Sequence, residues 1–240
     1  MDAPLDARTY TTSYTASAIA YHQLKEWIML GAVPLGIGLR EERIAERLQV
    51  SRTPVREALL RLHAESFIER HPEGGYRVAN PSVDRTRELY EVRRALELFA
   101  LRRGFEQSTG HDHQALCELK QEWLTMDIPP SAPDPEFVLL DEDFHWRLAR
   151  ASGNLALSEE LRRVNERIRV VRSHDFITPG RITATVDQHV STIESVLDRR
   201  GDVAADLLDL HIRESQAVVE ATVGRAFERM LKVGDGDTPW

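Results

Sequence analysis

Apolar positions recur every three or four residues along most of this chain and alternate over only one short stretch. Across residues 16–30, Ile19, Leu24, Trp27, Ile28 and Leu30 fall near the 3.6-residue period of a helix. The segment 31–38, GAVPLGIG, breaks that pattern with three glycines and a proline. Ile44, Ala45 and Leu48 mark a second helix, and Val55, Ala58, Leu59 and Leu62 a third. Residues 67–71 and 76–79 read as strands joined by Pro72-Glu73-Gly74-Gly75, a hairpin with glycines where positive φ is needed. Asn80-Pro81-Ser82 stops the second strand and can cap the next helix.

Beyond Ser82 the pattern is helical throughout, over 83–107, 111–126, 135–151, 154–172, 181–199 and 202–231. The breaks fall at Thr109-Gly110, at the stretch 127–135 with its four prolines, at Ser152-Gly153, at Thr178-Pro179-Gly180 and at Gly201. The chain thus divides into a polar tail (1–15), a small unit (16–80), an all-helical unit (81–232) and a second tail (233–240). The predicted fold is mostly α: a winged helix-turn-helix followed by an antiparallel helical bundle, whose interior suits a ligand or metal site.

Helix, tight turn, capped helix and Gly-tipped hairpin is the order of a winged helix-turn-helix, which inserts the N-terminal end of its second helix into the major groove. In QVSRTPVREALLRL (49–62), Ser51 or Thr53 supplies the N-cap and Pro54 sits in the first turn, where a missing N–H costs little. Arg52 and Arg56 project from the same end, away from the apolar stripe. Arginine suits bidentate contact with guanine and with phosphate. The Ser51 and Thr53 hydroxyls and the first-turn amides suit phosphates, and Gly75 lets the hairpin backbone approach a groove closely. A capped surface helix in an ordinary domain would also expose two arginines; the succession of elements favours double-stranded DNA.

At 240 residues, 42% hydrophobic and 29% charged, the chain is long enough for two globular domains. No apolar run has membrane-spanning length and no leader pattern opens the chain, so the expected location is the cytoplasm, with no membrane partner. Cys117 is the sole cysteine, which excludes an internal disulfide and a cysteine-based zinc finger. The net charge of −8 sits wholly beyond residue 80: residues 1–80 hold ten basic and ten acidic side chains, residues 81–240 hold 21 and 29. A neutral reader with locally placed arginines can still bind phosphate, because only nearby charge escapes screening.

Four polar residues of the bundle sit on apolar faces. Asp141 and His145, four apart, share the face of Phe137, Leu140, Phe144 and Leu148. His189 lies with Ile182, Val186, Ile193 and Val196, and His211 with Leu207, Leu208 and Val218. Each needs a partner, because an unpaired buried polar group costs a few kcal/mol. Singly, each reads as a satisfied core residue; together they make an N3O set that suits a divalent metal, Zn or Ni foremost. His174 is the reserve ligand. Arg93 shares the apolar face of Leu89, Leu96 and Ala100, so its guanidinium needs an anion, either Glu97 at i+4 or a bound acid.

VSRTPVREALLRLHAESFIERHPEGGYRV, within residues 16–80, resembles the winged-helix domain of the GntR family of regulators, with Gln49 and Ser66 where that family commonly has glycine. LDEDFHWRLARASGN, LYEVRRALE and the late histidines are similar to the FCD effector domain of its FadR-type branch, across roughly 83–223. The resemblance implies DNA contacts at Arg52, Thr53, Arg56 and Gly75, with Ser51 capping. It implies a divalent metal on Asp141, His145, His189 and His211, and a homodimer on a palindromic operator. Some members of the branch lack these four ligands and bind acyl-CoA; this chain keeps all four. The expected function is a metabolite-responsive transcriptional regulator, a repressor by default, whose metal and Arg93 jointly grip a small organic acid. Asn154 either lines that pocket or caps its helix. Three rivals stay open: the ion is itself the signal, the ion is purely structural, or the chain is a metal-dependent hydrolase. The last lacks a general base, since Glu142 and Asp143 point elsewhere on their helix.

Overall fold

A computed structural model describes residues 15–29, 32–79, 82–108, 110–126, 134–178 and 180–232, without the side chains of 222 and 225–232. Both predicted tails, apart from Thr15, lie outside these residues, as do Leu30, Asn80-Pro81 and most of the proline-rich stretch.

The N-terminal unit runs α1 (Ala16–Met29), β1 (Gly38–Leu39), α2 (Glu41–Leu48), α3 (Arg52–Ala64), β2 (Ile68–Arg70) and β3 (Tyr76–Val78). α1 packs on α3, burying Leu24, Ile28, Val55, Leu59 and Leu62 together. Ile19 is instead exposed. At 100° per residue it lies about 140° round the helix from Leu24, off the buried face. The turn from α2 to α3 is made by Gln49 in the left-handed region (φ 54) and by the Val50 amide donating to the Ala45 carbonyl at 3.0 Å. β2 and β3 form the expected hairpin, closed by His71 N–H on the Gly75 carbonyl at 3.1 Å, with Gly74 and Gly75 both at positive φ. The sheet gains a strand that periodicity did not predict: β1 pairs antiparallel with β3, Gly38 opposite Arg77 and Leu39 opposite Tyr76. A pair of residues shows no alternation, so only the partner strand defines it.

The C-terminal unit is helical: α4 (Val83–Glu106), α5 (His113–Leu124), α6 (Phe137–Arg150), α7 (Leu155–Ser173), a 3-10 turn (Asp175–Ile177), α8 (Arg181–Leu197) and α9 (Gly201–Lys232). Side-chain caps start three of these helices: Ser82 accepts from the Arg85 amide, Asp112 from Ala115 and Asn154 from Leu157. α4 packs against α7 and α9, α6 against α7, and α8 against α5 and α9. Trp123, Phe137, Phe144 and Phe176 meet edge to face inside. Leu140, expected among them, is exposed, because the inward face of α6 is taken by Phe137, Asp141, Phe144 and His145.

Gln49 and Ser66, where the resembled family commonly has glycine, both adopt left-handed backbone, φ 54 and φ 62. A side chain there costs about 1–2 kcal/mol, partly offset by the entropy that glycine loses on folding. Gln49→Gly is therefore expected to raise unfolding free energy by about 0.5–1 kcal/mol, read as a higher urea midpoint at unchanged slope.

Candidate metal centre and nucleic-acid interface

α6 carries Asp141 and His145 one turn apart, α8 carries His189 and α9 carries His211; all four are buried. Their ligand atoms lie within 4.8 Å of one another. Asp141 Oδ1 is 3.6 Å from His145 Nε2, 3.4 Å from His189 Nε2 and 3.8 Å from His211 Nε2. His211 Nε2 sits 3.2 Å from His145 Nε2 and 3.3 Å from His189 Nε2. The outer edges are anchored: His145 Nδ1 donates to Glu97 Oε2 at 2.6 Å and His211 Nδ1 to Gln188 Oε1 at 2.8 Å. With those acceptors on Nδ1, the Nε2 atoms of both rings turn inward toward each other. Two ring nitrogens at this distance share a proton or a cation between them. The His189 ring is fixed by packing, stacked on Phe144 at 3.5 Å and edge-on to Trp123 at 4.5 Å. Three nitrogens and one carboxylate oxygen converging on one point fit a borderline divalent ion.

The charges around the cluster hold the donors in the form a metal needs. Burial opposes ionisation of Asp141, but Arg172 first and His145 next hold its carboxyl well below the usual carboxylate range. Burial likewise opposes a charged Glu97, and His145 and Arg93 outweigh it, lowering the group to about 2. His189 and His211 are pushed well below the ordinary histidine value, by burial foremost and then by neighbouring imidazoles. Metal binding requires deprotonated ligands of this kind. Arg172 takes Asp141 Oδ2 and, at 3.1 Å, Asn165 Oδ1, which leaves Oδ1 of Asp141 to face the histidines. Sequence reasoning missed Arg172, though it continues the stripe of Leu161, Val164 and Ile168 as Arg93 does its own.

Arg93 is fully buried, and its Nε donates to Glu97 Oε1 at 2.6 Å. Its Nη1 and Nη2 have no partner, and neither do Arg172 Nε, Asn165 Nδ2 and Thr185 Oγ1. Glu97 thus satisfies one edge of the guanidinium and leaves the other for an acceptor. Asn154 is not brought to this place: its side chain accepts from the Leu157 amide at 3.1 Å, eleven residues before Asn165. That is about 16 Å along α7, so its structural role is the cap rather than the pocket wall. His174 is bound to its own helix end, Nδ1 2.8 Å from the Val170 carbonyl, outside the ligand set. Glu142 pairs with Arg169 and Asp143 with Arg147, so neither acidic neighbour stands as a base at the cluster.

At the other end of the chain, Ser51, Arg52, Thr53 and Arg56 are all exposed at the start of α3. Ser51 occupies the N-cap position, φ −74 and ψ 169, but its hydroxyl makes no capping bond and so stays open to another acceptor or donor. Gly75 is exposed at the hairpin tip, with open space where a Cβ would stand. The arginines already have partners that sequence reasoning missed. Arg52 Nη2 lies 2.8 Å from Glu42 and 3.3 Å from Glu41, and Arg56 Nε lies 2.6 Å from Glu41.

Comparison with known proteins places both units. The gntR family of bacterial regulatory proteins matches residues 16–78 and the FCD domain matches residues 88–214. The Nta operon transcriptional regulator of Aminobacter aminovorans is 32% identical over 179 residues, 75% of this chain and 82% of that protein. The HTH-type transcriptional repressor RspR of Escherichia coli K12 is 27% identical over 198 residues, 81% of this chain and 84% of its own. In fold, the chain is similar to a GntR transcriptional regulator from Rhodococcus sp. RHA1, with TM-score 0.55 at 21% identity, across 85% of this chain and 96% of that one. It is similar to the Listeria monocytogenes protein Lar, with TM-score 0.57 at 18% identity, across 90% and 99%. Among the described residues no helix is long and apolar enough to cross a membrane. With a DNA-binding winged helix ahead of an FCD effector domain, the chain belongs to the GntR family of transcriptional regulators and is not an enzyme.

Proposed function

We propose that this regulator is a metal-loaded repressor that answers to a small organic acid in the cytoplasm. Asp141, His145, His189 and His211 hold one divalent ion, Zn or Ni, and Arg93 receives the acid. The observation that carries this reading is the convergence of the His145 and His211 Nε2 atoms, 3.2 Å apart, in a buried cluster with Asp141 and His189. When bound, the ion supplies open coordination positions for a carboxylate. The chain's own residues do the rest: Glu97 and Gln188 aim the imidazoles, Arg172 holds Asp141, and the free Nη groups of Arg93 offer two donors to the second carboxylate oxygen or a second acid group. Those unpaired donors favour an acid effector over a purely structural ion or a direct metal signal, since neither of these would use them.

On the DNA side, Arg52 and Arg56 reach base edges or phosphates, with Ser51, Thr53 and Gly75 on the backbone. A homodimer places two such helices in successive major-groove faces of a palindrome. Repression is supported by the relative RspR, which is named a repressor. The acid releases DNA only to the extent that it binds the DNA-incompatible geometry more tightly.

On an operator selected by the wild-type protein from randomised duplexes, Arg52→Ala and Arg56→Ala each weaken binding by about 1–3 kcal/mol in fluorescence anisotropy. Unchanged affinity in both would take α3 out of the groove. Calorimetric titration with Zn is expected to give one site per chain, abolished in a His189→Ala, His211→Ala double variant and weakened about 10-fold or more by Glu97→Gln. Thermal-shift screening of zinc-loaded protein with acetate, lactate, succinate and citrate finds a stabilising acid whose effect Arg93→Ala removes. An undiminished shift excludes Arg93, and operator affinity that follows chelation but no acid makes the ion the signal.

A further inference from the structure

A row of charged groups runs from the Asp141 cluster to the recognition helix, and only its first member beyond the cluster, Arg172, serves the metal site. Arg172 and Arg169 stand one turn apart on α7. Arg172 bonds Asp141 Oδ2, and its Nη1 lies 3.7 Å from Glu142 Oε1. Glu142 in turn accepts from Arg169, Nη2 at 2.6 Å and Nε at 2.9 Å. The remaining arm of Arg169, Nη1, donates to the backbone carbonyl of Glu65 at 3.0 Å. Arg169 and Glu142 are nearly buried, with side chains 12% and 10% exposed, so bulk water screens this row little.

Glu65 is the C-cap of α3, its amide bonded to the Arg61 carbonyl, and the left-handed Ser66 comes directly after it. Carbonyls at a helix C-terminus lack partners within the helix and carry partial negative charge, which a guanidinium satisfies. The Glu65 carboxylate accepts from Tyr21 Oη of α1 at 2.6 Å and from Arg61 Nε at 3.1 Å. One residue therefore joins α1, α3 and α7. α3 has thirteen residues, a rod of about 20 Å, with Arg52 and Arg56 at one end and this clamp at the other.

We infer that Arg169 is the positioning residue that couples occupancy of the Asp141 cluster to the orientation of the recognition helix. Arg172 is shared between two carboxylates. An ion on Asp141 Oδ1 withdraws negative charge from Oδ2, which shifts Arg172 toward Glu142. Glu142 then loosens on Arg169, and Arg169 changes its hold on Glu65. Coupling of this kind needs an element whose two arrangements both sites bias, and the shared guanidiniums supply it. The inference rests on the metal reading of the cluster, but its test separates the two.

The test is hydrogen-exchange mass spectrometry of the full chain with added zinc and with chelator, in parallel with calorimetric zinc titration. In the wild type, zinc is expected to slow exchange about 5-fold or more, both in peptides of α6 and α7 and in the peptide 61–70. In Arg169→Met, zinc binds with the wild-type affinity and protects α6 and α7 equally, while 61–70 no longer responds. The double variant Glu142→Gln, Arg169→Met leaves no unpaired carboxylate, so it guards against misfolding, and it gives the same result. A merely structural Arg169 would raise exchange at 61–70 in both states and leave the zinc ratio intact. The inference is overturned if 61–70 responds equally in the variants, or if zinc protects α6 and α7 of the wild type without reaching 61–70. If zinc neither binds nor protects any peptide, the metal reading itself fails and takes the coupling with it.

Discussion

Burial of polar groups without water is the constraint around which the effector domain is arranged. Three imidazoles and a carboxylate converge inside an apolar bundle, two ring nitrogens only 3.2 Å apart, an arrangement that is unfavourable unless a proton or an ion is shared among them. The rest of the interior answers to that point. α4 supplies Arg93 and Glu97, α6 supplies Asp141, Glu142 and His145, α7 supplies Asn165 and Arg172, α8 supplies Gln188 and His189, and α9 supplies His211. Only α5 among these helices brings no polar partner to the cluster; its Trp123 closes the aromatic side against His189. A bundle built for stability alone would do as well with well-packed apolar residues at these positions. Retaining so many paired charges ties the packing of five helices to the state of one small polar site.

That tie gives the two units a common mechanical frame. The first unit presents the start of α3 to solvent and the end of α3 to α7. The same α7 holds the carboxylate of the cluster through Arg172. Within the first unit, Lys25 is buried beside Phe67 and Tyr21, and Arg61 lies 3.6 Å over the Tyr21 ring, cation–π contacts that add to the apolar packing of α1 on α3. Between the units, Arg169 makes a directed polar contact, its Nη1 on the Glu65 carbonyl at 3.0 Å. Such contacts favour a small number of discrete arrangements over a continuum.

The helices were legible because they are long and strongly periodic, and the six of the second unit end within a few residues of where their glycines, prolines and caps predict. The strand at Gly38–Leu39 was not, because its existence depends on β3 and on nothing local. Asp141, His145, His189 and His211 stood out as polar residues on apolar faces, a signal each carries in its own helix. The bonds of Glu97 to His145, Gln188 to His211 and Arg172 to Asp141 join different helices, and no spacing along one chain segment reveals those pairings. Arg172 could have been found by the rule that singled out Arg93; Gln188, half-buried beside His189, offers no such sign. Asn154 shows the reverse case, where the side chain makes a local bond at a helix start, as its sequence position indicated. The exposed Ile19 and Leu140 mark how far a helical face can drift when it is assigned from apolar residues alone.

On the proposed reading, the acidic residues at the start of α2 change what Arg52 and Arg56 can do on DNA. With Glu41 and Glu42 within 3.3 Å, the two guanidiniums are charge-balanced and held in place before any duplex arrives. A lone phosphate offers such an arginine only an exchange of one anion for another, with little net gain. A guanine edge flanked by phosphate offers two acceptors in a fixed plane together with the anion. If Arg52 and Arg56 read DNA as proposed, local acid beside α3 would therefore weaken loose travel along arbitrary duplex more than seated recognition, and widen the gap between the two.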